Sequence, residues 1–361
     1  MNTTRHYVEP SVLSGLYNYI DKFEWVDFNN DVKFVKLMKN YLFSKLPEHA
    51  ERFYHPEFEE RILRAIDEFE PDVIQIESVY LTTYLDAIQK RTKALKVLRS
   101  HNIEYHIWHG LAIKARNRLR KKYLHNLTHR LKNFERRAWR KYDLILPITE
   151  KDSFHITRLE KITDMVVAPF SIEIKDIVPH HENENWVGYH IGAMDWIPNR
   201  DGIAWFLQHV WPKVHNRLPK FEFYFAGRNM PDDFKNLKIE GVHCAGEVAD
   251  ANEFIADKRI LIVPVTTTGG IRVKILEAWA AGKIVITTPE GVKGLDAKPS
   301  EHFLLARKPD EFVKAIKWCM TNKAEAEQMA EKARQLVINK YQHRNVIKKV
   351  IDKIEIYLEL R

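Results

Sequence analysis

The sequence predicts two α/β domains in tandem, each built on a mostly parallel sheet covered on both faces. Three observations predict this. Short apolar runs alternate with helix-spaced stretches in two successive series, and a polar segment carrying a proline separates them. The length of 361 residues, 45% of them apolar, allows two ordinary cores.

In the first series, PEFEERILRAIDEF has helical spacing and DVIQIES (72–78) reads as a short buried strand. TTYLDAIQKR is helical again, and Leu95–Ser100 is the next strand. HNIE follows, then a long amphipathic helix. Its apolar positions Leu119, Tyr123, Leu127, Leu131, Phe134 and Ala138 recur every three or four residues. Strands over 143–149 and 164–170, with a helix between them, complete a domain of residues 1–170. Residues 171–185 form the linker. The strands VGYHIG, FEFYFAG, VHCAG, RILIVPV, KIVITT and HFLLA then define a second domain, 186–340. Its helices begin near Asn199, Asp250, Gly270 and Pro309, and Lys323–Lys340 closes it. Within 341–361, a last helix over 343–358 is expected to pack back toward the first domain. Tandem sheets of this kind leave a crevice at their carboxyl edges, where open α/β sheets bind ligands.

The formal charge is +8 and uneven. Residues 114–141 hold twelve Lys or Arg and one acid, Glu135. The helix there has a basic outer face, which reads either as a solvated surface or as a contact for an anionic surface: lipid headgroups, a phosphorylated acceptor or nucleic acid. No apolar stretch reaches 18 residues, and no basic-then-apolar leader opens the chain. Cys244 and Cys319 lie far apart and read as free core thiols. No HExxH or paired Cys/His spacing suggests a metal, and no GxxxxGK[ST] loop suggests phosphoryl transfer.

The motif with chemistry is TGGIRVKILEAWAAGK, residues 268–283. It follows a buried strand, so its glycines sit in a strand-to-helix loop. The helix starting near Ile271 points free N–H groups at any ligand in the crevice. Arg272 and Lys274 add two cations, which suits a diphosphate. On an ideal wheel Glu277 shares the non-core face with Lys274, while Ile271, Ile275 and Trp279 form the core stripe. A carboxylate there suits a pair of sugar hydroxyls. Arg272 reaches that face only from the pre-helical turn. The plainer reading is an ordinary βα unit with a Lys274–Glu277 pair one helical turn apart.

GGIRVKILEAWAAGKIVITTPEGVKGL resembles the donor-site signature of family 4 retaining glycosyltransferases (glycosyl transferases group 1) of the GT-B fold. IGAMDWIPNRDGIAWFLQHVWPKV resembles the opening βα unit of their C-terminal domain, FEFYFAGR the next strand with its Gly-Arg end, and LRSHNIEYHIW the segment that carries an active-site histidine. The resemblance implies two Rossmann-like domains facing across a cleft. It implies that Glu277 holds the nucleotide ribose, that His101 lies near the donor's anomeric end, and that Gly269 and Gly270 cradle phosphate and sugar. Glu290, Gly291 and Gly294 match the following turn, and Arg228 and Asn199 fall within the donor-binding set.

The chain departs from that pattern in three places. The first Glu of the E-x7-E motif falls at Gly269. The usual Arg/Lys pair after the first C-domain strand falls near Ala193 and Asn199, neither cationic, so Arg272 and Lys274 are expected to replace it. The opening strand, Gly-rich loop and helix are not found, and Asn2-Thr3-Thr4 resembles the tail of the family's second strand, so the N-terminal domain is expected to be incomplete.

The expected reaction is retaining, metal-independent transfer of a sugar from a UDP- or GDP-linked donor to a glycan or lipid-linked acceptor, with no cofactor. Polysaccharide biosynthesis in the cytoplasm, peripheral to the inner face of the plasma membrane, is the expected setting. Asn199 reads also as a helix cap, Trp196 and Trp205 as core or interface aromatics, Asn102 as structural, and Glu104 as a helix-start acid. Two rival readings stand beside this one: a catalytically inactive relative serving as a scaffold, and a nucleic-acid-binding protein. The second lacks interleaved stacking aromatics or a known module, so nucleic acid is not an expected partner.

Overall fold

The computed structural model describes residues 2–3, 20–29, 31, 34–174, 185–266 and 271–360. Much of the expected 171–185 linker, together with Gly269 and Gly270, lies outside them. The chain forms two compact units, one of residues 1–167 with 350–361 and one of residues 168–349.

In the first unit β1 (Asn2–Thr3) pairs in parallel with β2 (Asp27–Phe28). Helices α1 (Phe34–Phe43), α2 (Glu48–Arg52) and α3 (Pro56–Phe69) follow. The main sheet has the order β3 (Val73–Ile76), β4 (Leu95–Ser100), β5 (Leu144–Pro147), all parallel. A 3-10 turn (Val79–Tyr84) and α4 (Leu85–Arg91) join β3 to β4. Between β4 and β5 run α5 (Glu104–Lys114) and α6 (Arg118–Trp139), and α7 (Glu150–Glu160) follows β5. Their apolar faces meet around Leu98, Leu127, Leu131, Trp139, Ile145 and Ile156.

The structure departs from the sequence reading in this unit three times. TTY belongs to the 3-10 turn, where the Ser78 hydroxyl accepts the Tyr80 N–H at its start. Residues 164–170 form no strand: one bridge joins Ile145 to Met165. The segment after HNIE is two helices broken at 115–117, and Asn117 caps the second through the Arg120 N–H. Glu135, the lone acid of the basic segment, explains the start of α5. Its fully buried carboxyl accepts the backbone N–H groups of Glu104 at 2.8 Å and Tyr105 at 2.9 Å, two of the orphan donors of that helix. That bond anchors the chain three residues after His101.

The second unit carries a six-stranded parallel sheet of order β11-β10-β9-β6-β7-β8. Its strands are β6 (Asn185–Ile191), β7 (Phe223–Ala226), β8 (Val242–Gly246), β9 (Lys258–Val263), β10 (Ile284–Thr287) and β11 (Leu304–Leu305). Every residue of β9 and β10 is buried, as central parallel strands covered on both faces require. The chain builds outward from β6 to β7 and β8, then returns to the other side of β6 with β9. The topological switch point therefore lies between β6 and β9, and ligand sites of doubly wound sheets lie at the carboxyl ends of such a pair. Helix α8 (Ile197–Trp205) follows β6 and continues through a π turn (Phe206–Val210) into α9 (Trp211–Arg217). α10 (Asp232–Lys235), α11 (Ala251–Ala256) and α12 (Val273–Ala280) precede β8, β9 and β10. α13 (Pro309–Thr321), α14 (Lys323–Lys340) and α15 (His343–Glu359) end the chain. Trp205 packs on the core beside Phe312, but Trp196 is 53% exposed and is not a core residue.

Burial pushes the Glu135 carboxyl up to about 8, against the pull of its two N–H donors. A raised carboxyl pKa stabilises the fold below the unfolded value, and that contribution is lost as pH rises through the folded one. In urea titrations, wild type should therefore lose stability relative to Glu135→Gln between pH 5 and pH 8; a gap that does not vary with pH contradicts this.

Candidate donor site at the sheet switch point

Lys274 is the second residue of α12, the helix that leaves β9. Its ammonium donates to Asn199 Oδ1 at 3.1 Å and lies 3.2 Å from His190 Nε2. His190, fully buried on β6, donates from Nδ1 to the Ile262 carbonyl at 2.8 Å, so its Nε2 is the acceptor facing the lysine. Asn199 Nδ2 donates to the Ala193 carbonyl at 2.9 Å. Asn199 is thus no helix cap. Trp196 holds the cap position, Pro198 occupies the first turn where its missing N–H costs nothing, and the Asn199 side chain turns to the lysine. Gly192, which follows β6, leaves the necessary room: a Cβ there would meet Lys274 Nζ at 2.4 Å and Asn199 Nδ2 at 2.7 Å.

Among the described residues no ion pair joins Lys274 to Glu277, and its hydrogen bonds run to two neutral groups. The side chain is half-buried, yet burial of its ammonium and the adjacent Arg272 charge pull its pKa down to about 7, with Glu277 opposing. Arg272 sits at the N-cap of α12, buried, with extended backbone. Burial lowers its pKa too. His190 is held well below the usual imidazole range, first by burial and then by Lys274, so it stays neutral. Glu277, one turn into α12, is exposed to solvent; surrounding protein raises its pKa and Lys274 lowers it. The opposite face of α12 buries Ile275, Leu276, Ala278 and Trp279. Gly282, at φ 72, ends the helix: its N–H bonds the Trp279 carbonyl and the Lys283 N–H the Ala278 carbonyl.

Arg228 is exposed, and its carbonyl accepts the Met194 N–H at 2.8 Å, tying the loops after β6 and β7 together. Glu290 is half-buried in the turn after β10. A Cβ at Gly291 would meet Thr287 Oγ1 at 1.9 Å, and Gly294 has a φ of 90°. The second unit thus gathers Asn199, Arg272, Lys274 and Glu277 around the switch point. His101 belongs to the first unit, just past β4, with Nε2 2.9 Å from the Glu77 carboxylate that follows β3. That bond outweighs burial, which acts the other way, and holds Glu77 below the usual carboxylate range. Glu104 Oε2 accepts the Tyr80 hydroxyl at 2.8 Å. Cys319 is buried, with its thiol pushed up to about 12 by desolvation, and Cys244 is raised likewise.

Sequence reasoning missed His190, Gly192 and Glu77. Each left a signal, as a polar residue or a glycine at the carboxyl end of an apolar strand, where α/β sites gather.

An uncompensated buried cation costs stability. Lys274→Met should therefore unfold at an equal or higher temperature, by about 2–4 °C per kcal/mol gained. The advantage should be largest at or below pH 7 and fade toward pH 10.5, because the folded lysine loses its proton first. A lower midpoint at pH 6 contradicts this.

Residues 187–322 match the family model "Glycosyl transferases group 1". No curated protein sequence matches the chain. Among solved structures, HepE of Anabaena with UDP-glucose superposes with a TM-score of 0.64 at 12% identity, covering 96% of this chain and 90% of that one. Sucrose-phosphate synthase of Thermosynechococcus elongatus gives 0.62 at 13% identity over 86% and 78%. A glycosyltransferase of Rickettsia africae gives 0.57 at 14% over 94% and 87%. The chain has the α/β, parallel-sheet fold of GT-B glycosyltransferases, and its second unit is similar to the group 1 glycosyl transferases over residues 187–322.

Proposed function

We propose that this protein is a retaining glycosyltransferase that moves a sugar from a nucleoside-diphosphate donor to a glycan or lipid-linked acceptor. The observation that carries this reading is the Lys274 ammonium, held at the switch point by neutral acceptors with Arg272 beside it. A part-buried cation whose hydrogen-bond partners among the described residues are neutral suits an anion. Two cations and a helix N-terminus suit a diphosphate, and Glu277 on the same face suits the ribose hydroxyls. The HepE structure that shares the fold contains UDP-glucose, which supports a UDP-linked donor.

In the reaction the bond from the anomeric carbon to the diphosphate oxygen breaks, and the bond to the acceptor oxygen forms on the same face. The acceptor proton passes to the departing phosphate oxygen. Lys274, Arg272 and the N-terminus of α12 meet the charge that develops there, so this chain's own cations do the neutralising and neither metal nor cofactor is required. The Glu77 carboxylate holds the His101 ring at 2.9 Å.

The acceptor reading gains support from the first unit. Ile107, Leu111 and Ile113 of α5 and Leu119 of α6 are exposed, Leu119 by 81%. Lys114, Arg116, Arg118, Arg120, Lys121 and Lys122, all exposed, lie in the same stretch of sequence. Apolar side chains interspersed with cations suit an anionic bilayer surface, where each cation adds about 1 kcal/mol. These residues support peripheral attachment to an anionic membrane, in keeping with the proposed setting at the inner face of the plasma membrane. No helix among the described residues is long and apolar enough to cross one.

A panel of UDP- and GDP-sugars, read by thermal shift and turnover, tests the first proposal. One donor should stabilise the protein, and Arg272→Ala and Lys274→Ala should each cut turnover at least ~100-fold while the fold survives. Near-normal turnover in both removes the site. For the second, the protein should sediment with phosphatidylglycerol vesicles and not with neutral ones, and Leu111→Ser with Leu119→Ser should abolish this. Equal partition into both vesicle types contradicts a membrane role.

A further inference from the structure

We infer that His190 is a positioning residue for diphosphate binding: as a neutral acceptor at the β6–β9 switch point, it aims the Lys274 ammonium at the ligand without neutralising it. The inference rests on the donor reading above and deepens it.

A fully buried histidine on a strand covered on both faces needs a reason, since an aliphatic residue would fill the place without polar atoms. Both ring nitrogens of His190 are committed. Nδ1 donates to the Ile262 carbonyl, which fixes the tautomer, and Nε2 therefore presents a lone pair to Lys274. Asn199 Oδ1 supplies the second acceptor, and Asn199 is itself held by the Ala193 carbonyl. An ammonium has three hydrogens. Two go to neutral acceptors, and among the described residues the third has none. A carboxylate in place of His190 would hold the lysine equally well, but it would compete with the phosphate for its charge. Imidazole holds the lysine and leaves that charge available.

The charged and titratable groups that act on Lys274 are Arg272 and Glu277 from α12 and His190 from β6. The facing helix α8 contributes the neutral Asn199. Arg272 and burial work against protonation, while Glu277 favours it. The two acceptors stabilise the charged form, so removing the one on His190 should shift the lysine further toward its neutral form.

Two near-isosteres separate the roles of the two nitrogens. His190→Asn keeps a donor for the Ile262 carbonyl and loses the acceptor for Lys274; His190→Gln does the reverse. UDP affinity is measured on the full chain from pH 6 to pH 9. In parallel, 13C-lysine NMR follows the Lys274 Cε resonance of the unliganded protein, assigned by its loss in Lys274→Arg. His190→Asn should weaken UDP binding by about ten- to hundredfold. It should also move both the Lys274 titration and the alkaline fall in affinity to lower pH. His190→Gln should restore most of the affinity. If wild type binds UDP and His190→Asn changes neither the titration nor the pH profile, the inference is overturned while the donor site stands. If wild type binds no UDP, the donor reading falls and takes the inference with it. Should neither variant fold, the 15N shifts of the wild-type His190 ring decide: a neutral ring protonated on Nδ1 supports the inference, and a ring protonated on Nε2 overturns it.

Discussion

The second unit is organised around one electrostatic constraint, a lysine ammonium held inside protein by groups that carry no charge. Lys274 meets His190 and Asn199, and the strand order brings the three together. Because β9 returns beside β6, the helix that leaves β9 starts over the carboxyl end of β6. His190 is near the last residue of that strand and Gly192 follows it. The parallel sheet supplies the position, the missing Cβ of Gly192 supplies the space, and the neutral partners leave the charge uncancelled. The arrangement is strained in energy rather than in backbone. An uncompensated cation lowers the stability of the resting protein, and binding an anion restores it.

Arg272 fits the same logic. It is buried at the head of α12, close enough to make the protonation of Lys274 harder. The Arg272 charge acts against the Lys274 ammonium, and a polyanion would relieve that repulsion. Glu277 stays on the solvent side of the helix, where it leaves the cations free and remains accessible to hydroxyl groups. In the first unit a similar economy governs the strand ends. Glu77 and His101 follow adjacent parallel strands and meet at 2.9 Å. Glu135, far along the sequence, fixes the backbone just beyond them.

Much of the fold was legible because it rests on local periodicity. Leu95–Ser100 and Lys323–Lys340 follow from apolar spacing alone, and α12 from its stripe of Ile275 and Trp279. The misreadings have local causes. Tyr84 and its neighbours have helical spacing but a tighter turn, and the apolar 164–170 run pairs at Met165 alone. The break at 115–117 is marked in the sequence only by Asn117, whose capping role depends on the turn that follows. The site was legible in part. Arg272, Lys274 and Glu277 share one helix, so a helical wheel relates them. The partners of Lys274 lie 84 and 75 residues away, and their roles follow from strand order, which local pattern does not carry. Asn199 read as a cap for the same reason: its partner is on another element.

Burial and Arg272 weaken the hold of the Lys274 ammonium on its proton in the empty protein, and a bound diphosphate should strengthen that hold. Isothermal titration of UDP at pH 8, repeated in buffers of different ionisation enthalpy, measures that change directly. With a resting pKa of about 7, binding should take up about one proton, and Lys274→Arg should take up none. Binding by wild type with no proton uptake would contradict the account.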